Sequence, residues 1–100
     1  MLLIEGWLKL ATGEFDKVAD QARAMVEATN QEEGCLHYSF SRDIADPDLI
    51  RISERWASQE ALAAHSISEH MAEFNKAMGS VKREGADLRL YSAEEVRKLM

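Results

Sequence analysis

The chain of 100 residues is poor in the residue types that mark several common classes of protein. Its single cysteine, Cys35, excludes an internal disulfide and a cysteine-based zinc site. One proline and five glycines leave no flexible linker that would divide the chain. We therefore expect one domain over residues 1–100, in a reducing, cytoplasmic setting.

Long apolar runs and an excess of positive charge are also missing. The first apolar run, residues 1–4, ends at Glu5 and is too short for a signal peptide. No segment approaches the roughly 18 apolar residues of a membrane span. The chain has 12 basic and 18 acidic residues and a net charge of −6, which disfavours binding to phosphate backbones. We expect neither a membrane protein nor a nucleic-acid-binding protein.

Apolar and polar residues alternate in four segments, as is typical of strands. These segments are Leu2–Leu10, Cys35–Arg42, Leu49–Trp56 and Asp87–Ser92. A helical stripe begins at Phe15 after a predicted N-cap at Thr12 and is closed by Gly34. A second begins after Ser58, is interrupted between Ser66 and Ser68, and stops at Gly79. Residues 93–99, after Ser92, predict a short terminal helix.

The predicted order β-α-β-β-α-β is typical of the ferredoxin-like α+β fold. This fold has a four-stranded antiparallel sheet with both helices on one face. The other face would carry Trp7, Leu3 or their alternates as a large apolar patch. Packing two such faces together would cover the patch, so the pattern predicts a homodimer.

Short motifs between Gly34 and Phe74 carry a family resemblance. In chain order they are Gly34-Cys35-x-x-Tyr38, Arg42-Asp43, Asp46-Pro47, Glu54-Arg55-Trp56, Glu60-Ala61-Leu62 followed by His65, and His70 followed by Phe74. No single motif is specific, but the ordered set resembles the antibiotic biosynthesis monooxygenase family. The resemblance is strong over this segment and weaker over the outer strands and the first helix.

The resemblance implies a dimeric α+β barrel of ferredoxin-like subunits. Family members include cofactor-free oxygenases that act on quinols and aromatic polyketides. The leading hypothesis is therefore a cofactor-independent monooxygenase that oxidises a small electron-rich aromatic, such as a quinol, phenol or polyketide-like compound, with dioxygen. The alternative is a non-catalytic dimeric module that binds a small molecule.

Other members of the family degrade haem, which is a less favoured hypothesis for this chain. Those members use an asparagine on the first strand, a tryptophan in the second helix and a histidine ten positions later. Aligned through Trp56, these places hold Gly6, His65 and Asn75. All three depart from the haem-degrading pattern, although His65 or His70 could ligate haem by another route.

His65 and His70 are the candidate catalytic residues. An unperturbed histidine is suited to act as a general base near neutral pH, and here it would deprotonate a phenol or quinol. Five positions on one straight helix would place the rings on different faces, so a break at residues 66–68 is needed to bring them together. The same spacing does not match a helical zinc pair, so we expect no metal. A structural role, such as His70 bonding a backbone carbonyl, is the alternative.

Four apolar or aromatic residues are candidates for substrate binding. They are Tyr38, Trp56, Met71 and Phe74. Tyr38 and Trp56 could wall a pocket for a flat aromatic molecule, and the flexible Met71 could line it. The alternative is that all four are core residues, which burial statistics favour.

Glu54 lies among apolar residues on its predicted strand face, so its carboxylate needs a partner. Arg42 and Arg55 are the candidate partners. We expect a structural ion pair close to the dimer interface in preference to a catalytic role.

Overall fold

The computed structural model describes all 100 residues. Its elements are β1 (Leu2–Leu10), α1 (Ala19–Asn30), β2 (Cys35–Arg42), β3 (Leu49–Trp56), α2 (Gln59–Ser66), α3 (Glu69–Met78) and β4 (Arg83–Ser92). A 3-10 turn over Glu14–Lys17 precedes α1. None of the helices combines the length and apolar character that a membrane crossing requires.

The four strands form one antiparallel sheet in the order β2-β3-β1-β4. Two strands that are connected through a helix are therefore not adjacent in the sheet. β3 lies between β1 and β2, and β1 lies between β3 and β4, as the ferredoxin-like arrangement requires. The predicted α+β class, the order of the elements along the chain and the four-stranded antiparallel sheet are confirmed. The second helix is broken as predicted, into α2 and α3.

The core lies between the helices and one face of the sheet. Trp56, Tyr38 and Met25 form one buried cluster, and Leu2 and Ile4 of β1 pack against it. A second cluster contains Leu10, Val18, Met78 and Val81, with Leu8 packed against it. The even-numbered residues of β1 therefore face the helices, as its alternation predicts.

The helices leave part of this face uncovered. Leu88 and Leu90 of the edge strand β4 pair in register with Gly6 and Ile4, so they point to the helix side. Their exposed fractions are nevertheless 52% and 56%. The core-facing side of β4 is consequently the apolar surface that this single chain does not bury.

The opposite face of the sheet carries Trp7, Leu3 and Tyr91 between charged residues. In the registered pairs, Trp7 lies beside Arg51 and Asp87, and Leu3 lies beside Arg55. This open face has no covering layer, as predicted. It is a mixture of apolar and charged side chains, however, and not the large apolar patch that the sequence predicted.

Three boundaries differ from the predictions. Thr12 caps no helix, because a 3-10 turn and Val18 come before α1. β4 begins at Arg83, earlier than the alternation shows, because the backbone of β1 pairs with it along most of its length. Residues 93–100 form no helix. Their apolar side chains Val96 and Leu99 are exposed, so a short helix there would have no packing to stabilise it.

Candidate active site

The break between α2 and α3 brings the two predicted catalytic histidines together. Ser68 adopts an extended conformation and caps α3, because its hydroxyl accepts a hydrogen bond from the backbone N–H of Met71 in the first turn of that helix. The same hydroxyl donates to the carbonyl of His65 (2.7 Å), near the end of α2. The ring centroids of His65 and His70 are consequently 5.8 Å apart.

The loop that follows α1 brings a third polar side chain, Glu32, to this point. Gly34 ends the loop with φ +82°, and its carbonyl accepts a hydrogen bond from the N–H of Ala57 (2.8 Å). A Cβ atom at Gly34 would lie only 2.5 Å from the Cβ of Ala61 in α2. Glycine is therefore required at this position both by the backbone conformation and by the close packing of the loop on α2.

Glu32 contacts both histidines through one oxygen. Oε2 lies 2.7 Å from Nδ1 of His65 and 3.3 Å from Nε2 of His70. An ionised carboxylate can only accept a hydrogen bond, so Nδ1–H of His65 is the donor in this contact. The contact with His70 lacks hydrogen-bond geometry, and its buried Nε2 has no hydrogen-bond partner. The ring of His65 is thus held by a hydrogen bond to Glu32, whereas that of His70 is not.

A cavity of about 280 Å³ lies between the helices and the sheet. Its walls are largely apolar and include His65, Tyr38, Met71 and Phe74. The cavity therefore combines an apolar enclosure with a single oriented imidazole.

The predicted site residues divide into two groups. His65, Tyr38, Met71 and Phe74 line the cavity. Trp56 does not, because it is fully buried behind His65, with ring centroids 4.9 Å apart. His70 does not line it either, but lies in a smaller pocket of about 250 Å³ between α1 and α3.

Glu54 is buried and lines the cavity, but no arginine pairs with it. Its Oε1 accepts a hydrogen bond from Nε1–H of Trp56 (2.9 Å). Burial raises the pKa of Glu54 above its ordinary value, against the opposing effects of the Trp56 hydrogen bond and the charge of His65. The expected ion pair with Arg42 or Arg55 is therefore wrong.

The two arginines lie elsewhere. Arg42 pairs with Asp16 and its guanidinium sits over the ring of Phe15, 4.8 Å from the centroid. Arg55 pairs in register with Leu3 and His37 on the open face of the sheet. Neither arginine lines the cavity that Glu54 lines.

Tyr38 places a phenol hydroxyl-bearing side chain in the cavity wall. Burial, together with the negative charges of Glu54 and Glu32, strongly raises the pKa of its phenol. Tyr38 therefore remains a neutral phenol at physiological pH. It can orient a ligand or stack on it, but it does not serve as the base.

The sequence of this chain matches the model of the family "antibiotic biosynthesis monooxygenase" over residues 1–77. The chain belongs to the antibiotic biosynthesis monooxygenase family. No curated protein sequence matches it.

Solved structures with the same fold agree with this membership. A Deinococcus radiodurans protein provisionally named an antibiotic biosynthesis monooxygenase is 24% identical, with a TM-score of 0.86; the match covers 100% of this chain and 99% of that one. Another structure of an antibiotic biosynthesis monooxygenase is 27% identical, with a TM-score of 0.84, over 95% of this chain and 100% of that one. Rv0793 from Mycobacterium tuberculosis is 18% identical, with a TM-score of 0.83, over 96% and 98%.

Gly6 occupies the place at which the haem-degrading members of the family carry an asparagine. A Cβ atom at Gly6 would lie 1.9 Å from the backbone oxygen of Asp87 in β4. The asparagine of that branch cannot occupy this place unless β4 moves. The structure therefore gives a steric reason for the departure that the sequence shows.

Glu32 is the contact of the two histidines that the sequence did not predict. It lies in a polar loop, 33 positions before His65, and no local pattern connects the two. A carboxylate that orients a histidine across such a distance becomes visible only once the loop and the end of α2 are placed together.

Proposed function

We propose that this protein is a cofactor-independent monooxygenase that oxidises a small phenol or hydroquinone with dioxygen, and that His65 is its general base. The observation that carries the proposal is the hydrogen bond from Nδ1 of His65 to Glu32, beside an apolar cavity. Glu32 fixes the tautomer with the lone pair on Nε2 and stabilises the imidazolium that forms after proton transfer. Trp56 and Tyr38, packed around the ring, hold its orientation.

The size of the cavity favours a small substrate. Its volume of about 280 Å³ is at the lower end of the range of about 300–1,000 Å³ that is typical of ligand sites. A one-ring or two-ring aromatic molecule suits this volume. The side chains of Phe74 and Met71 in the wall offer contacts to a flat ring.

The reaction balances without an external reductant. Nε2 of His65 takes the proton of the substrate hydroxyl, and the resulting phenolate passes one electron to dioxygen. The phenoxyl radical and superoxide combine to form a carbon–oxygen bond, and the imidazolium returns its proton to the peroxide. Cleavage of the O–O bond releases water and leaves a quinone. One phenol and one dioxygen thus give one quinone and one water.

The experiment is a measurement of oxygen consumption with a panel of phenols, hydroquinones and anthrones in the presence of a metal chelator. We expect turnover with at least one compound. We expect His65→Gln to lower kcat by about 10²- to 10⁴-fold, the usual contribution of a general base. His37→Gln is the matched control, because His37 lies on the open face of the sheet and should leave the rate unchanged.

Two results would contradict the oxygenase proposal. One is turnover that survives His65→Gln. The other is tight binding of aromatic compounds with no oxygen uptake, which would favour the alternative of a non-catalytic binding module.

A further inference from the structure

Three potential metal ligands meet at one point behind the cavity. Oε2 of Glu32, a ring nitrogen of His65 and a ring nitrogen of His70 all lie within 4.8 Å of one another. They come from three elements: the loop after α1, the end of α2 and the first turn of α3. The sequence argument against a metal assumed one straight helix for both histidines, and the break at Ser68 removes that assumption.

Hydrogen bonding satisfies only one of the two histidines in this cluster. Glu32 Oε2 accepts from Nδ1 of His65, but Nε2 of His70 is buried 3.3 Å from the same oxygen without a hydrogen bond. Burying an imidazole nitrogen without a partner costs free energy. A cation that accepts one lone pair from each imidazole ring and binds the negatively charged carboxylate would satisfy all three side chains.

We propose that Glu32, His65 and His70 form a binding site for one divalent transition-metal ion of the zinc or cobalt class. Two imidazoles and one carboxylate are ligands that these ions prefer, and three protein ligands leave a position for water. This site goes beyond the oxygenase proposal and does not rest on it, because it needs only the geometry of the three side chains.

The two separations from Glu32 lie close to those around a tetrahedral ion, and the two ring nitrogens lie within 4.8 Å of each other. Ligand atoms at about 2.0–2.1 Å from such an ion are about 3.3–3.4 Å apart. The separation of Glu32 Oε2 and His70 Nε2 is already 3.3 Å. The contact of 2.7 Å between Glu32 and His65 has to widen by about 0.6 Å. Rotation of the Glu32 side chain, which lies in a loop, supplies this change.

The surroundings of the cluster give the ion both enclosure and access. The side chain of His65 is 5% exposed and that of Glu32 is 17% exposed, so water competes little for the ligands. His70 lines the pocket between α1 and α3, which provides an entry path from the surface.

Occupation of this site has a predictable effect on His65. A metal ion on Nδ1 takes the lone pair there and leaves the proton on Nε2, the nitrogen proposed as the base. The metal-loaded protein should therefore be a poorer oxygenase than the metal-free protein. The binding site and the oxygenase activity can each be absent without the other.

The test is a titration of chelator-treated, full-length protein with Co²⁺ and Zn²⁺. Visible absorption follows the coordination of Co²⁺, and calorimetry gives the stoichiometry and Kd for Zn²⁺. We expect one ion per chain, with the intense absorption of a tetrahedral cobalt site. Glu32→Gln and His70→Gln should each raise Kd at least about tenfold. His37→Gln, which removes a histidine outside the cluster, should leave Kd unchanged.

The circular dichroism of each variant establishes that it is folded before its titration is interpreted. Absence of binding to the wild-type protein would overturn the proposal. So would an unchanged Kd in folded Glu32→Gln and His70→Gln, or a loss of affinity in His37→Gln as large as theirs. None of these results bears on oxygen consumption by the chelator-treated protein, so the two proposals are tested separately.

Discussion

Glu54 shows how burial changes the chemistry of one side chain. It is 6% exposed, and its only side-chain hydrogen bond comes from the indole of Trp56. Because burial disfavours the carboxylate, the pKa of Glu54 is higher in the folded protein than its ordinary value of 4.5. The protonated form is therefore the form that the fold stabilises.

This elevation makes stability depend on pH with a definite sign. The stabilising effect of Glu54 is fully present below pH 4.5 and is lost as pH rises through its folded-state pKa. Each pKa unit of elevation corresponds to about 1.4 kcal/mol. Glu54→Gln keeps an acceptor for Trp56 but has no proton to lose. We expect the variant to lose less stability than the wild type between acidic and neutral pH.

Urea denaturation of both proteins at several pH values measures this difference. Subtracting one curve from the other removes the contribution of the remaining carboxylates. A wild-type curve that runs parallel to that of Glu54→Gln over the whole range would show that Glu54 has no elevated pKa.

Prediction from sequence at the residue scale depends on local context. Tyr38, Met71, Phe74 and His65 lie in patterned strands and helices, and all four line the cavity. Glu32 could not be predicted, because its contact with His65 spans 33 positions. Trp56 was predicted to wall the cavity, but it lies fully buried behind His65.

At the scale of elements, Ser68 links secondary structure to the site. Its hydroxyl caps α3 through Met71 and bonds the carbonyl of His65. Ser68→Ala should lower the free energy of unfolding by about 1 kcal/mol, the usual cost of losing an N-cap. It should also loosen the relative positions of His65 and His70.

Ser66→Ala is the control for this prediction. Ser66 lies two positions earlier, is exposed, and its hydroxyl only donates to the carbonyl of Leu62 within α2. Because alanine is the better helix former, this change should cost little or nothing. Equal losses for the two variants in urea denaturation would contradict the capping role of Ser68.

Elements are predicted well where periodicity is supported by packing, and poorly elsewhere. The broken helix is visible in the sequence because serines interrupt an apolar stripe. The early part of β4, Arg83–Ala86, has no clear alternation, and its strand conformation is imposed by pairing with β1. Residues 93–99 have the capping residues of a helix but form none, because no surface is available for such a helix to pack against.

At the scale of the whole molecule, we propose that two chains pair through their sheets. Support comes from the uncovered sheet face, which carries Trp7, Leu3 and the exposed Tyr91. The charged residues on that face would pair across the interface or form its rim. Family membership adds to this support.

Sedimentation tests the dimer directly. The wild-type protein should sediment as a dimer, and Trp7→Glu should raise the dimer Kd by about tenfold or more by placing a charge at the centre of the face. Thr12→Glu, a charge added to an exposed loop, should leave the dimer intact. A wild-type monomer at micromolar concentration would contradict the proposal.

The order of the elements could be derived from the sequence because each strand and helix carries its own periodicity. The assembly of the site could not, because it depends on three elements meeting around Glu32, His65 and His70. The residues that line the cavity follow from the fold, because the sheet and the broken helix place them on facing surfaces.

The most direct test of the central claim is turnover of an active phenol in ¹⁸O-labelled dioxygen with a chelator present. Monooxygenation by the His65 base predicts one labelled oxygen atom in each quinone and the other in water. It also predicts a loss of at least about a hundredfold in the rate for His65→Gln and none for His37→Gln. Unlabelled quinone, or full activity in His65→Gln, would contradict the account.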